Sequence, residues 1–376
     1  MKIKQLSLGK TIYNASIIRK EKWFKAINLV VLGVLFLIAC KKNTDSPSPF
    51  TLATNSIFVV NQGNFSSSNG SISYIHKTDS TEIVDVYKTS NGVALGGQPQ
   101  SFAIISATGY ICDQVLGRVV VVDMNTFKNK GTISTGISSL NPRNLVSING
   151  STGYISDWGS GNVLVIDLNS NTLISQITSS GTGPDFLYNH GSKIYVAYDG
   201  AYSTDNKIGV INPSSNAVET LIQVGSGPGN IVSDINGKLW VLCSGAYNST
   251  YSALQTAGSL VRIDPTTNTV ELSLSFNDLS SAAIPTSLII DPAGNNLYYN
   301  YLGNVYQMNV NSVALPTTPF ISKNFYGLSI DPINGQIIGC YAPNFTSAGK
   351  IIRYKPSGIA IDSFTVGIGP SVCAFR

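Results

Sequence analysis

Residues 154–177 read Y-I-S-D-W-G-S-G-N-V-L-V-I-D-L-N-S-N-T-L-I-S-Q-I. Short runs of Tyr, Ile, Val and Leu alternate with Gly, Ser, Asn and Asp, the punctuation of β-strands joined by tight turns. The middle run recurs: a small or polar residue, then β-formers, then a turn, starting at Gly70, Gly117, Gly161, Asn206, Gly258, Gly303 and Gly349, at spacings of 47, 44, 45, 52, 45 and 46 residues. Upstream of each lies a second run, centred on Phe58, Tyr110, Tyr154, Tyr195, Trp240, Tyr298 and Ile338. Segments such as 172–177 and 218–224 supply an outer strand. A turn, usually with Pro, then leads into the next repeat at Pro99, Pro142, Pro184, Pro228, Pro285 and Pro370. No helical period of comparable length follows residue 50.

Four strands in about 40 to 50 residues is the arithmetic of a β-propeller blade, so the repeats predict an all-β, seven-bladed propeller over residues 51–376. The chain enters on a second strand, 56–60, and ends on an orphan first strand, 370–375. The C-terminal strand is therefore expected to complete blade 1 and seal the ring.

The composition agrees and explains a misleading charge. Of 376 residues 43% are hydrophobic and 12% charged, which excludes disorder, coiled coil and collagen. The formal net charge of +4 comes from the leader: residues 1–39 hold seven basic side chains against the single acid Glu21, leaving 17 basic and 19 acidic groups in 40–376, a net of −2. That balance, with no basic cluster beyond the tether, disfavours nucleic acid as a partner.

The pattern of residues 154–177, together with V-G-S-G-P at 224–228, resembles the YVTN/YncE-like propeller repeat. The resemblance runs through all seven blades and implies the fold, whereas propellers host binding, scaffolding and several chemistries. The leader points to an address. An apolar run from Ala26 to Ala39, too short for a comfortable membrane span, follows a basic flank and stops at Cys40, so residues 1–39 read as a signal peptide. Leu37-Ile38-Ala39-Cys40 resembles a bacterial lipobox, which implies that Cys40 is lipidated and that residues 40–50 form a flexible tether. The C-K-K start is similar to lipoproteins of the Bacteroidota. The expected address is the outer membrane, on its surface or periplasmic face, with the lipid as the only membrane contact. The remaining Cys112, Cys243, Cys340 and Cys373 lie in or beside apolar runs with no C-x-x-C, and read as small buried hydrophobes.

Four-stranded blades put two classes of loop on each face. The turns between strands one and two and between three and four are short and uniform, as at Asn149-Gly150 and Asp167-Leu168-Asn169-Ser170. The loops between strands two and three vary greatly, from Asn300–Leu302 to Ser244–Ala257, so that face is expected to carry recognition. Trp158, Tyr198, Tyr202, Tyr247, Tyr251, Tyr299, Tyr301 and Tyr341 sit at these strand ends and loops among Asn, Ser, Gln and Gly, the mixture that binding surfaces favour. Packing between blades is the competing reading for Tyr198, Tyr299 and Tyr341. Gln98, Arg143 and Asp185 enter the inner strands on the same face and are expected to rim the central channel.

Catalytic constellations are missing from the sequence. His190 falls in a turn on the uniform face and His76 ends a third strand; no nucleophile elbow, H-E-x-x-H or phosphate loop occurs. Asp113, Asp157 and Asp199 read as equivalent strand ends in successive blades, but the other blades carry no carboxylate there, so neither a metal nor a cofactor is expected. The leading expectation is a non-enzymatic, lipid-anchored propeller that captures a small-molecule nutrient. Similarity to BtuG-like cobalamin-capturing propellers implies a corrinoid, handed to a TonB-dependent outer-membrane transporter. The rivals are an extracellular lactonase- or lyase-like propeller enzyme and a protein-interaction or adhesion scaffold.

Overall fold

The computed structural model describes residues 51–376; the signal peptide expected over 1–39 and the lipidated cysteine and tether expected over 40–50 lie outside the described residues. The described chain forms seven radial sheets, or blades. Blade 1 contains β1 (Ser56–Asn61), β2 (Ser71–His76) and β3 (Glu82–Ile83), followed by a short helix, α1 (Val86–Asn91). Blade 2 is β4 (Pro99–Ile105), β5 (Thr108–Asp113), β6 (Arg118–Asp123) and β7 (Asn129–Thr132); blade 3 is β8 (Pro142–Ser147), β9 (Thr152–Asp157), β10 (Asn162–Asp167) and β11 (Thr172–Ile177). Blade 4 is β12 (Pro184–His190), β13 (Lys193–Tyr198), β14 (Lys207–Asn212) and β15 (Ala217–Gln223). Blade 5 is β16 (Pro228–Ser233), β17 (Leu239–Cys243), β20 (Ser259–Asp264) and β21 (Thr269–Ser275), interrupted by a small hairpin, β18 (Ala246–Tyr247) and β19 (Leu254–Thr256). Blade 6 is β22 (Thr286–Ile290), β23 (Asn296–Tyr301) and β24 (Asn304–Asn309); blade 7 is β25 (Gly327–Ile330), β26 (Ile337–Tyr341), β27 (Ala348–Tyr354) and β28 (Ala360–Ile368). The last strand, β29 (Pro370–Phe375), pairs antiparallel with β1, from Ile57 opposite Phe375 to Asn61 opposite Pro370, and so completes blade 1 as the sequence predicts.

The burial pattern explains why the sequence alternates in some strands and not in others. Second strands are sandwiched between neighbouring blades, so β1, β13 and β17 are buried along nearly their whole length. Outer strands face solvent on one side, and β11 and β15 accordingly alternate exposed and half-buried residues. The short turns between third and fourth strands are fixed by side chains. Asp123, Asp167 and Asp264 each accept a hydrogen bond from the backbone N–H two residues on, at 2.8–2.9 Å, which is the physical content of the recurrent D-x-N/T signature. Asn171, Asn216 and Asn268 then take the left-handed conformation, with φ of 56°, 49° and 55°.

Two blades depart locally from the regular pattern. In blade 1, α1 follows a two-residue β3; Asp85 caps it by accepting from the Lys88 N–H at 2.9 Å, and Val86 and Tyr87 plug the core. In blade 6 the outer position is held by an irregular segment that touches β24 through a single bridge, Val305 to Ile321. That segment contains Pro316 and Pro319, which have no N–H to give to a ladder.

The seam between the chain ends has its own fastenings. Lys77, after β2, donates to Asp331, after β25, at 2.7 Å, with the two side chains only 6% and 1% exposed. Ser56 and Arg376 exchange both backbone hydrogen bonds, at 2.9 and 3.0 Å. All of Cys112, Cys243, Cys340 and Cys373 are buried and free, and the thiols of Cys340 and Cys373 meet at 3.9 Å across blades 7 and 1.

Candidate functional site on the loop face

The inner strands β4, β8, β12, β16, β22, β25 and β29 each border the next and close the ring around the channel. Six of them begin with a bulge, where pairing skips between Pro99 and Ser101, Pro142 and Asn144, Pro184 and Leu187, Pro228 and Ile231, Thr286 and Ile289, and Pro370 and Val372. A bulge re-aims the residue it contains, and Gln100, Arg143 and Asp185 fall in these positions. Bulges are thus what aim polar groups at the channel mouth.

A belt of hydrogen bonds links these groups across five blades. Tyr326 Oη donates to Gln62 Oε1 at 2.7 Å, and Gln62 donates in turn to Gln100 Oε1 at 3.4 Å. Gln114 donates to Gln98 Oε1, and Arg143 donates both to Gln114 Oε1 and, through Nε, to Asp185 Oδ1 at 2.6 Å. The Arg143 guanidinium also lies 3.9 Å from the ring centre of Trp158. Gln98, Arg143, Asp185 and Trp158 therefore stand together.

The register corrects the reading of the aspartates. Pro99 pairs with Asp113 and Pro142 with Asp157, but Pro184 pairs with Tyr198, so Tyr198 and not Asp199 is the equivalent strand end in blade 4. Asp113 and Asp157 are fully buried and structural. Asp113 Oδ1 accepts from the Gln98 N–H at 2.9 Å, while Asp157 accepts from Asn141 and Ser160 N–H at 2.5 and 2.8 Å, each pinning an inter-blade loop. Asp199 lies one residue beyond the end of β13. Its Oδ1 accepts from the Ala201 N–H at 2.8 Å. Burial first, and then the charge of Asp185, push its carboxyl up to about 7, partly offset by the Ala201 hydrogen bond and by Arg143. A sequence-only reading cannot see this pairing, because Asp185 and Asp199 meet only once the β12–β13 hairpin is in register.

The predicted aromatics divide between two grooves and the core. The first groove, of about 560 Å³, runs between the loops of blades 4 and 5 and is lined by Asp199, Tyr202, Ser244, Tyr247, Asn248 and Tyr251 among others. Tyr202 and Tyr251 are 84% and 72% exposed. The β18–β19 hairpin presents Tyr247 and Tyr251, with ring centres 5.7 Å apart, and Tyr202 meets Trp158 edge-on at 5.6 Å. The second groove, of about 510 Å³, lies between blades 6 and 7 and gathers Tyr301, Tyr326, Tyr341 and Phe345 around Asn300 and Asn324. Tyr198 and Tyr299 are corrections: at 0% and 1% exposure they are packed between blades, Tyr198 with Val163 and Ile177, Tyr299 with Trp240 and Leu297. Their burial also pushes both phenols up, Tyr299 the more strongly where the neighbouring Tyr306 and Tyr301 add to it. Tyr326 and Phe345, which meet edge-on at 5.1 Å, join the site with Gln62 and Gln114.

Solved structures of several propellers share this architecture. A quinoprotein alcohol dehydrogenase-like protein from Bacteroides thetaiotaomicron aligns at 15% identity and a TM-score of 0.63, over 86% of this chain and 78% of its own. Hydrazine synthase from Kuenenia stuttgartiensis aligns at 16% identity and 0.53, over 73% and 88%, and virginiamycin B lyase from Staphylococcus aureus at 12% and 0.53, over 72% and 85%. At such identities the likeness is one of fold. No curated protein matches the sequence. A family model matches residues 55–355, from the start of β1's approach to the end of β27, and the chain belongs to that family, the domain of unknown function DUF5074.

Proposed function

We propose that the protein is a lipid-anchored, extracytoplasmic binding protein that captures a small-molecule nutrient on its loop face. The observation that carries this reading is the convergence of exposed Tyr, Asn and Ser side chains onto two concave grooves beside one channel mouth, while the opposite face is built of short, self-satisfied turns. Grooves of about 500 Å³ suit a small ligand rather than a flat protein partner. A corrinoid, passed to a TonB-dependent outer-membrane transporter, is the first ligand to test, on the strength of the sequence resemblance. The address follows from the lipobox-like Leu37-Ile38-Ala39-Cys40.

A second reading is supported by one observation. Asp199, with its carboxyl near neutrality beside Asp185 and Arg143, is the type of group that serves as a general acid or base in a lyase- or lactonase-like propeller enzyme. Thermal shift and calorimetry on the full detergent-solubilised chain against corrinoids, haem and glycans, with and without chelator, separate the two. Chelator-resistant stabilisation by a compound recovered unchanged supports capture; turnover of a panel member rejects it in favour of the enzyme.

A further inference from the structure

The first groove combines features that together select a cation. Three tyrosines, Tyr202, Tyr247 and Tyr251, line it, and phenol rings present a negative face. One carboxyl, Asp199, lies on its wall. Among the described residues, no Lys or Arg lines the groove. Arg143, the basic group that acts on Asp199, is committed to Asp185, Gln114 and the Trp158 ring, and Lys207, three residues after the groove's Thr204, pairs with Asp205 at 3.2 Å. The remaining polar side chains of the lining are Ser203, Thr204, Ser244, Asn248 and Ser249, neutral and able to turn either way.

We infer that this groove is a subsite for an alkylammonium group, held by the faces of Tyr202, Tyr247 and Tyr251 and charge-paired with Asp199. Tertiary and quaternary ammonium groups are large, weakly hydrated cations, and aromatic walls with one carboxylate are the arrangement that recognises them. The inference rests on the loop face being a capture surface; it is independent of the corrinoid candidate.

Proton linkage gives the subsite a signature that simple apolar burial lacks. The charged groups around Asp199 are Asp185 on β12, Arg143 on β8 and the Asp205–Lys207 pair at the start of β14, with the phenols of the groove facing it. A bound cation favours the ionised carboxylate, so binding releases a proton wherever Asp199 starts protonated. With the carboxyl at about 7, the ionised fraction rises from roughly one in eleven at pH 6 to ten in eleven at pH 8. Affinity should therefore strengthen about tenfold over that interval.

The test is isothermal calorimetry on the full chain in detergent with choline, and with 3,3-dimethylbutan-1-ol, its neutral isostere. The expected result is choline binding that strengthens about tenfold from pH 6 to pH 8, with the alcohol at least tenfold weaker. Asp199→Asn should remove the pH dependence and most of the affinity. Tyr202→Ala, at a ring already exposed to solvent, should weaken choline severalfold without touching the core. Equal affinity for choline and the alcohol, absence of choline binding, or choline binding unaltered in both variants would each overturn the inference. Cyanocobalamin in the same assay keeps the readings apart: failure of choline with cobalamin bound sinks the ammonium subsite alone, and the reverse sinks the corrinoid candidate alone.

Discussion

The guanidinium of Arg143 stacks 3.9 Å above the ring centre of Trp158 while its Nε holds Asp185 at 2.6 Å. One side chain thus joins the inner strand of blade 3 to that of blade 4 and holds the ring that Tyr202, on the first groove, meets edge-on. It also sets the field at Asp199, where Arg143 acts to lower the carboxyl and Asp185 to raise it. Opposite substitutions should therefore move Asp199 in opposite directions: Arg143→Gln upward from about 7, Asp185→Asn downward. Carbon-13 NMR titration of the carboxyl checks both signs, and a shift of the same sign in the two variants would refute the assignment.

The same carboxyl makes a prediction about stability. An aspartate raised from 3.8 to about 7 on folding binds a proton in the native state that the unfolded chain has already lost. Native stability attributable to it therefore falls as pH rises from about 4 to about 7 and is constant above. Asp199→Asn should leave stability near pH 4 almost unchanged and raise it at pH 8 by on the order of 2–4 kcal/mol. Urea denaturation at the two pH values measures the difference, and equal effects at both would show that Asp199 ionises without penalty.

The blades were legible because each strand class has its own burial and therefore its own pattern, from the all-apolar Val119–Val122 to the alternating Thr172–Ile177. The Asp-capped turns and Asn residues at positive φ added a fixed punctuation. The site was legible only in composition. Whether a strand-end tyrosine faces the groove or the core turns on a single residue of register: Tyr198 goes in, whereas Asp199 and Tyr202 stay at the loop face. The bulges after Pro99, Pro142 and Pro184 are set by pairing between strands, which no local pattern encodes. In blade 6, Pro316 and Pro319 were a usable signal against a fourth strand.

Tyrosines that look alike in sequence should separate sharply by experiment. Tyr247→Ala or Tyr251→Ala, in the β18–β19 hairpin, should weaken binding of a captured ligand by more than about 1 kcal/mol and leave the melting temperature nearly fixed. Tyr198→Ala and Tyr299→Ala empty the packing between blades and should cost about 3–5 kcal/mol of stability. Calorimetric melting beside binding isotherms distinguishes the two groups, and a Tyr198→Ala protein as stable as the parent would contradict its burial.

Closure of the ring is the last prediction. The strand β29 provides the inner edge of blade 1 and borders both β25 and β4, so its removal exposes β1 and the flanks of two neighbours. Deleting residues 370–376 should open the propeller and lower the melting temperature steeply. A subtler variant asks how much of the seam depends on the buried pair. Lys77→Ala leaves Asp331 as an unpaired carboxylate at 1% exposure, which should cost about 3–5 kcal/mol, whereas replacing both, Lys77→Met with Asp331→Leu, should recover most of that loss. Denaturant unfolding measures all three. A truncated chain that unfolds like the parent would mean that β29 does not hold the ring shut, and a double variant no better than Lys77→Ala would mean that the pair contributes more than the burial of its charges.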